Sequence, residues 1–294
     1  MRDSGSRFIR KSALFLTILF SFVPAFVKTQ TLDQTYSFAL SQARVGNYDI
    51  AVKSLKRVQF FDEQNHFPNV FRDIADCYFE KKEFENAFYY YDLASIQAEG
   101  DSIVPDLVAR KVTCKLQENQ FQEALVSLFS FEGKLNPFQQ WQFNMLYGIT
   151  YFYLGDYQQS KQYFLRNTDS NMVQTLYDVN TGFSHIQHIE RRYNPKTAKI
   201  LSMILPGAGQ MWVGDYRNGL NSLALIASLF SASVALTGSV TVLDSIIIVA
   251  PWFQRYYMGG YERAYGIAAN KQQDEKNKLL AQIVNMLNQP PANN

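Results

Sequence analysis

Leu205-Pro206-Gly207-Ala208-Gly209-Gln210-Met211-Trp212-Val213-Gly214-Asp215-Tyr216-Arg217-Asn218-Gly219 divides the chain, because a repetitive water-facing part precedes it and a long uncharged run follows it. Pro206 removes a backbone donor, and Gly207, Gly209 and Gly214 admit backbone angles closed to other residues. A hinge or re-entrant turn is predicted there. Irregular backbone at membrane depth must be covered by protein or water, so the segment from Ile200 to Val213 is expected in the interface or tucked beneath its neighbours.

After this joint, no charge occurs from Asn218 to Leu243, and only Asp244 interrupts the run before Arg255. The stretch from Asn218 to Leu236 would rise roughly 28 Å as a helix, close to the hydrocarbon thickness. Thr237-Gly238-Ser239 supplies turn residues, and a second crossing is predicted from Val240 to Met258. Small residues along the first segment, Ala224, Ala227, Ser228, Ser231, Ala232 and Ser233, allow close helix packing in lipid. Trp252, Tyr256, Tyr257, Tyr261 and Tyr265 gather where the second crossing would leave, as an interfacial belt does. The reading is a membrane hairpin over 196–260; two buried helices of a globular core are the soluble alternative.

Pro206, Gly207, Gly209, Gln210, Trp212, Gly214 and Gly219 resemble the signature of small bacterial two-transmembrane hairpin domains, which write Pro-Gly-x-Gly-Gln, an aromatic and then spaced glycines. The similarity covers about sixty residues. It implies a location and a hairpin, and nothing catalytic.

Upstream, between Thr31 and Asn167, one pattern recurs four times: Gly46-Asn47-Tyr48-Asp49-Ile50-Ala51, Lys82-Glu83-Phe84-Glu85-Asn86-Ala87, Asn119-Gln120-Phe121-Gln122-Glu123-Ala124 and Gly155-Asp156-Tyr157-Gln158-Gln159-Ser160. The small residues Ala51, Ala87, Ala124 and Ser160 step by about 36 residues. An aromatic stands three residues before each, and a large apolar residue follows by four: Leu55, Tyr91, Leu128 and Phe164. That spacing sets one face of a second helix in register with a turn, while the small residue lets two helices approach closely. Ala39, Ala75, Val112 and Gly148 take the matching place on a first helix, twelve residues earlier.

This skeleton resembles the tetratricopeptide repeat family, with small residues at Ala39 and Ala51 or Ala75 and Ala87 and aromatics at Tyr48, Phe84, Phe121 and Tyr157. The family's closing proline is absent. The third copy carries Val112 and Lys115 where a small residue and an aromatic are expected, which predicts loose packing of its first helix. The resemblance implies an all-α solenoid over 31–167 whose concave groove binds a protein partner. Groove positions would come from exposed places on the first helices, such as Gln42, Arg72, Asp76, Arg110, Lys111 and Asn144. The aromatics and alanines themselves are assigned to packing rather than to a ligand.

Cys77 and Cys114 fall at equivalent places of adjacent copies, so parallel helices would hold them about 8–10 Å apart. A disulfide needs Cα atoms within about 7 Å, so two free, half-buried thiols are expected.

Flanking segments complete the layout. Arg2, Arg7, Arg10 and Lys11 precede an uncharged run from Ser12 to Val27, the order of a secretory signal over 1–29. Pro24-Ala25-Phe26-Val27-Lys28-Thr29 offers no clean pair of small residues for cleavage, so an uncleaved anchor is the alternative. A helix from Ser170 to Tyr193, within a 168–195 linker, repeats apolar residues at three and four and would cap the array. His185 and His188 share a face with Asp178 about two turns earlier, but without further ligands they read as solvated side chains. The tail, 261–294, is polar through Lys278 and then apolar at Leu279, Leu280, Ile283, Met286 and Leu287, which suits docking on the repeats or on a second copy.

Charge and composition narrow the function. The chain has 294 residues, 18% of them charged and 15% aromatic, with a net charge of +2. With no run of Lys and Arg interleaved with aromatics, nucleic acid is not expected as a partner. Nor does any nucleophile, base and orienting group recur at a readable spacing, and no cofactor or metal is expected. The expected function is a non-catalytic, membrane-anchored scaffold of the bacterial inner membrane that binds a protein partner, with lipid around its hairpin.

Topology is in tension with itself. Arg191, Arg192, Lys196, Lys199 and Arg217 precede the hairpin and Arg255, Arg263 and Lys271 follow it, which favours cytoplasmic flanks. The N-terminal signal instead places the repeats on the exported, periplasmic side, and it acts first during synthesis. A competing function rests on Asp244, since a carboxylate within an apolar span often marks an ion or transport path. Its blander reading is a side chain near the turn, reaching interfacial water.

Overall fold

The computed structural model describes residues 31–98, 102–168 and 173–288, all of whose regular structure is helical. The expected signal over 1–29 lies outside the described residues, as does Met172 at the start of the expected cap. The chain divides into two compact units after Gln97.

The first unit is a row of four helices: α1 (Leu32–Arg44), α2 (Tyr48–Phe61), α3 (Val70–Glu80) and α4 (Phe84–Gln97). Thr31 opens it with a capping box, its hydroxyl accepting from the Gln34 amide while the Gln34 side chain accepts from the Thr31 amide. Ala39, Ala51, Ala75 and Ala87 are fully buried, so the expected close approaches between helices are present. Leu55, Ile74 and Tyr91 fill the space between them.

The second unit continues in the same manner with α5 (Val104–Gln117), α6 (Phe121–Phe129), α7 (Pro137–Leu154) and α8 (Tyr157–Leu165). Ala124 and Ser160 are fully buried, and the Ser160 hydroxyl donates to the Gly148 carbonyl at 2.7 Å. At Gly148 a Cβ would run into the Phe164 ring, so here the glycine is what lets α7 and α8 close up. The expected looseness of the third copy is not observed. Val112 is fully buried, and Lys115 turns back to pair with Glu123 at 2.7 Å and to donate to Gln120 at 2.7 Å. A long side chain with a charged tip thus covers what an aromatic would cover elsewhere.

The four turns between paired helices share one geometry. Gly46, Lys82, Asn119 and Gly155 all have φ between +58° and +82°. Behind each, the next amide reaches back five residues, Asn47 to Gln42, Glu83 to Tyr78, Gln120 to Lys115 and Asp156 to Tyr151. This is the Schellman helix end, which satisfies carbonyls the helix leaves open.

Next, α9 (Val173–Arg192) packs on the last pair. Val179, Phe183 and Ile186 meet Phe152 and Phe164, joined by Leu279, Leu280, Ile283 and Leu287 from the far end of the chain. The apolar tail therefore docks on α9 and on the last helix pair. The Lys276 ammonium bonds to Glu190 at 2.8 Å alongside.

Three helices then lead into the longest one: α10 (Pro195–Ile204), α11 (Ala208–Trp212), α12 (Tyr216–Leu236) and α13 (Val242–Leu287). The sequence predicts a crossing over 240–258 and a separate tail from 261, but α13 is a single helix of 46 residues, about 69 Å long. No break falls at 260, because Gly260 lies against the Ser222 hydroxyl of α12 and its carbonyl receives a hydrogen bond from Gln210. Among the described residues, α12 alone is long and apolar enough to cross a membrane. Asp244, Gln254 and Arg255 dilute the matching part of α13.

Candidate functional site

The joint is built by close backbone approaches. Asn194 caps α10, its side chain accepting from the Thr197 amide at 3.1 Å, and Pro195 takes the first helical position. Leu205 is extended, and Gly207 turns the chain at φ +91°. A Cβ at Gly207 would strike the Gly219 carbonyl, and one at Gly209 would strike the Ala198 carbonyl. These two glycines therefore let α10, α11 and the start of α12 touch through their backbones.

Gln210 is 1% exposed at the centre of this knot. Its Nε2 donates to the Gly260 carbonyl at 2.9 Å, and its Oε1 accepts from the Ser202 hydroxyl at 2.8 Å. The Ser202 oxygen in turn accepts from the Gly209 amide at 2.9 Å. Trp212 lies under Arg192, whose guanidinium donates to the Trp212 carbonyl at 2.5 Å, and Lys271 donates to the Val213 carbonyl at 2.9 Å. Gly214, at φ +84°, carries the chain into α12, where the Asp215 side chain accepts from the Asn218 amide at 3.2 Å. The predicted residues Gly207, Gly209, Gln210, Trp212, Gly214 and Gly219 thus meet in one structural joint.

Beyond the joint, α12 and α13 form an antiparallel pair with little cover. Phe230, Leu243 and Ile247 are 67%, 68% and 62% exposed. Along the joint itself the polar side is tucked in at Ser202 and Gln210, while Ile200, Met203, Ile204 and Leu205 face outward. Aromatic residues cluster where α13 passes the joint: Trp252 stacks on Tyr256 at 6.4 Å, and the Tyr257 hydroxyl donates to the Met203 carbonyl at 2.5 Å.

Asp244 sits in the first turn of α13. Its Oδ2 accepts from the Thr241 hydroxyl at 2.6 Å, and its amide donates to Thr241 Oγ1 at 3.2 Å. A carboxylate there meets the positive end of the helix, so the cap accounts for its presence, and the side chain is exposed.

In the first unit, the first helices α1 and α3 frame a cavity of about 350 Å³ lined by Leu40, Arg44, Asp73, Asp76, Cys77 and Glu80 among others. The Tyr36 hydroxyl donates to Asp73 at 2.5 Å, and the Tyr91 hydroxyl to Asp76 at 2.5 Å. Burial pushes the Asp73 carboxyl above the usual carboxylate range, against the opposing pull of Tyr36 and of Arg72 at 3.6 Å. Of the expected groove positions, Asp76 lines this cavity and Arg72 stands beside it, while the Gln42 side chain is occupied by Asn47 at 2.8 Å. In the second unit Arg110 is exposed and Lys111 half-buried. Asn144 is the correction: only 4% exposed, its amide donates to Asn167 at 3.0 Å, so it ties α7 to the end of α8.

Sequence reasoning passed over Asp73, Glu80 and Tyr36. A signal existed in the spacing of Asp73, Asp76 and Glu80, which at three and four repeats put three carboxylates on one face of α3. No family model, curated protein or solved structure matches the chain.

Proposed function

We propose that this chain is a non-catalytic scaffold held in the bacterial inner membrane, with a tetratricopeptide-type array that receives a protein partner and a helical hairpin that anchors it. The observation that carries this reading is the exposed apolar surface of α12 and the adjoining part of α13, next to a joint whose polar groups are satisfied internally. Lipid replaces water on such a surface without a desolvation penalty. In this reading α12 crosses, and the apolar part of α13 returns beside it through small residues.

Support for the array comes from the four equivalent left-handed turns and from the buried residues on both sides of each, small in every case but Val112. The acidic face of α3, with Asp73, Asp76 and Glu80, favours a basic segment of a partner protein. The periplasmic placement of the array rests on the charged-then-apolar order at the N-terminus.

Two measurements on the full chain test it. Alkaline carbonate washing should leave the protein in the membrane pellet; release into the supernatant overturns the anchor. Cys77 is buried and unsuited to report topology, so a Glu85→Cys variant in a Cys77→Ser, Cys114→Ser background serves instead, since Glu85 is exposed. Labelling of whole cells by an impermeant maleimide once the outer barrier is opened fits the periplasmic placement, and labelling only after inner-membrane lysis overturns it.

A further inference from the structure

At the foot of the α12–α13 pair, on the side away from the 237–241 turn, lies a cavity of about 350 Å³ whose walls include Asn218, Ser222, Arg255, Gly259, Gly260 and Arg263. Arg255 and Arg263 stand about two turns apart on one side of α13. Neither forms an ion pair among the described residues. Asp215 feels the charge of Arg263, and its carboxyl is held below its usual range first by the Asn218 side chain, with Lys271 and Arg263 adding to it. Its charge is thus divided among the Asn218 cap, Lys271 and Arg263.

A Cβ at Gly259 would meet nothing within 4 Å, so this glycine leaves bare backbone on the cavity wall. Asn218 and Ser222 bring polar side chains from the opposite helix. Along the same helices towards the 237–241 turn the surface is apolar, with Leu225 37% and Phe230 67% exposed, and Trp252 stacks on Tyr256 on that stretch of α13.

We propose that this cavity seats the phosphate-bearing headgroup of an anionic phospholipid, with its acyl chains lying along the apolar face of α12. The proposal rests on the hairpin reading above. Guanidinium groups are suited to phosphate oxygens, which they meet through paired N–H groups. Basic pockets between membrane helices at headgroup depth take anionic lipids for this reason. A soluble phosphate would satisfy the same charges but would leave the adjoining apolar surface without a use.

The test places the full chain in vesicles of phosphatidylcholine alone or of phosphatidylcholine with phosphatidylglycerol, and measures the lipids retained by the protein after mild detergent extraction. Retained lipid should be enriched in phosphatidylglycerol by about 25-fold, roughly fivefold for each guanidinium. Arg255→Gln/Arg263→Gln should erase most of that enrichment, each single variant about half of it on a logarithmic scale, and Arg217→Gln should leave it unchanged. The single variants settle the matter if the double variant does not fold. Unchanged enrichment in both single variants overturns the proposal. So does millimolar inorganic phosphate that abolishes the enrichment, which would identify a soluble anion as the ligand. If the unaltered protein fails to stay in phosphatidylcholine vesicles after a carbonate wash, the hairpin and the lipid site fall together. If it stays there without enrichment, only the lipid site falls.

Discussion

The side-chain amide of Gln210 donates to the carbonyl of Gly260 at 2.9 Å, joining α11 to the middle of α13 across fifty residues of chain. The same side chain accepts from Ser202 on α10, so one amide fixes three helices at their crossing. Glutamine alone among residues of its length offers both a donor and an acceptor without charge. We expect Gln210→Leu to lower stability by about 1–3 kcal/mol, because Ser202 would lose its buried acceptor. Gln210→Glu should cost at least as much, since the site would also have to hold a charge or a displaced proton. Denaturant unfolding in one fixed detergent measures both.

Gly209 and Gly259 make an opposed pair. Gly209 has the Ala198 carbonyl where its Cβ would be, whereas Gly259 has open space. Gly209→Ala must push α10 and α11 apart and should lower stability by about 1–3 kcal/mol or more. Gly259→Ala meets nothing and gains helix propensity, worth up to about 1 kcal/mol in the other direction. Equal effects of the two in thermal unfolding would contradict the packing of the joint.

Much of this was legible in the sequence, and the failures share a physical origin. The buried alanines at 39, 51, 75 and 87 were readable because small size at fixed spacing has few other causes. Asn144 was misplaced because a polar residue on a helix reads as exposed, and only tertiary structure brings Asn167 within reach of it. The continuity of α13 was hidden because a crossing of membrane length, Val240 to Met258, is followed by a polar tail, and a change of solvent along a helix does not by itself end it. The joint's Gly and Gln residues could be recognised as a signature without revealing that they serve each other. Asp244 looked costly within an apolar run, yet Thr241 and the helix start beside it make a carboxylate favourable.

The repeated turns give a test of register. At this position Gly46 and Gly155 adopt positive φ without strain, and Asn119 tolerates it, but Lys82 holds φ +61° with a full side chain. Lys82→Gly should therefore be neutral or stabilising, by up to about 1 kcal/mol, despite the flexibility glycine adds to the unfolded chain. Gly46→Val should be destabilising by more than that, because a β-branched residue is strained there. Parallel thermal melts of the two variants decide it. A Lys82→Gly variant that melts well below the parent would mean the four turns are not equivalent.

The two thiols respond to pH in a direction fixed by their burial. Cys77 and Cys114 are free, 3% and 0% exposed, and burial pushes their pKa up to about 11 and about 12. Neighbouring carboxylates, Asp76 and Asp73 at Cys77 and Glu118 at Cys114, push the same way. In the unfolded chain a thiol titrates near 8.5, so the folded state holds more protons in the interval above that value. The stabilisation from the neutral thiols is complete below about pH 8.5 and is lost as pH rises towards the folded values. At pH 8 the native protein should therefore react with a small disulfide reagent much more slowly than the denatured chain, and replacing both cysteines by alanine should flatten the decline in stability between pH 9 and 11 by an amount that a denaturant titration can resolve. Rapid native labelling at pH 8, or an identical decline in the Cys77→Ala/Cys114→Ala variant, would place the thiols in water and set aside the helix packing that buries them.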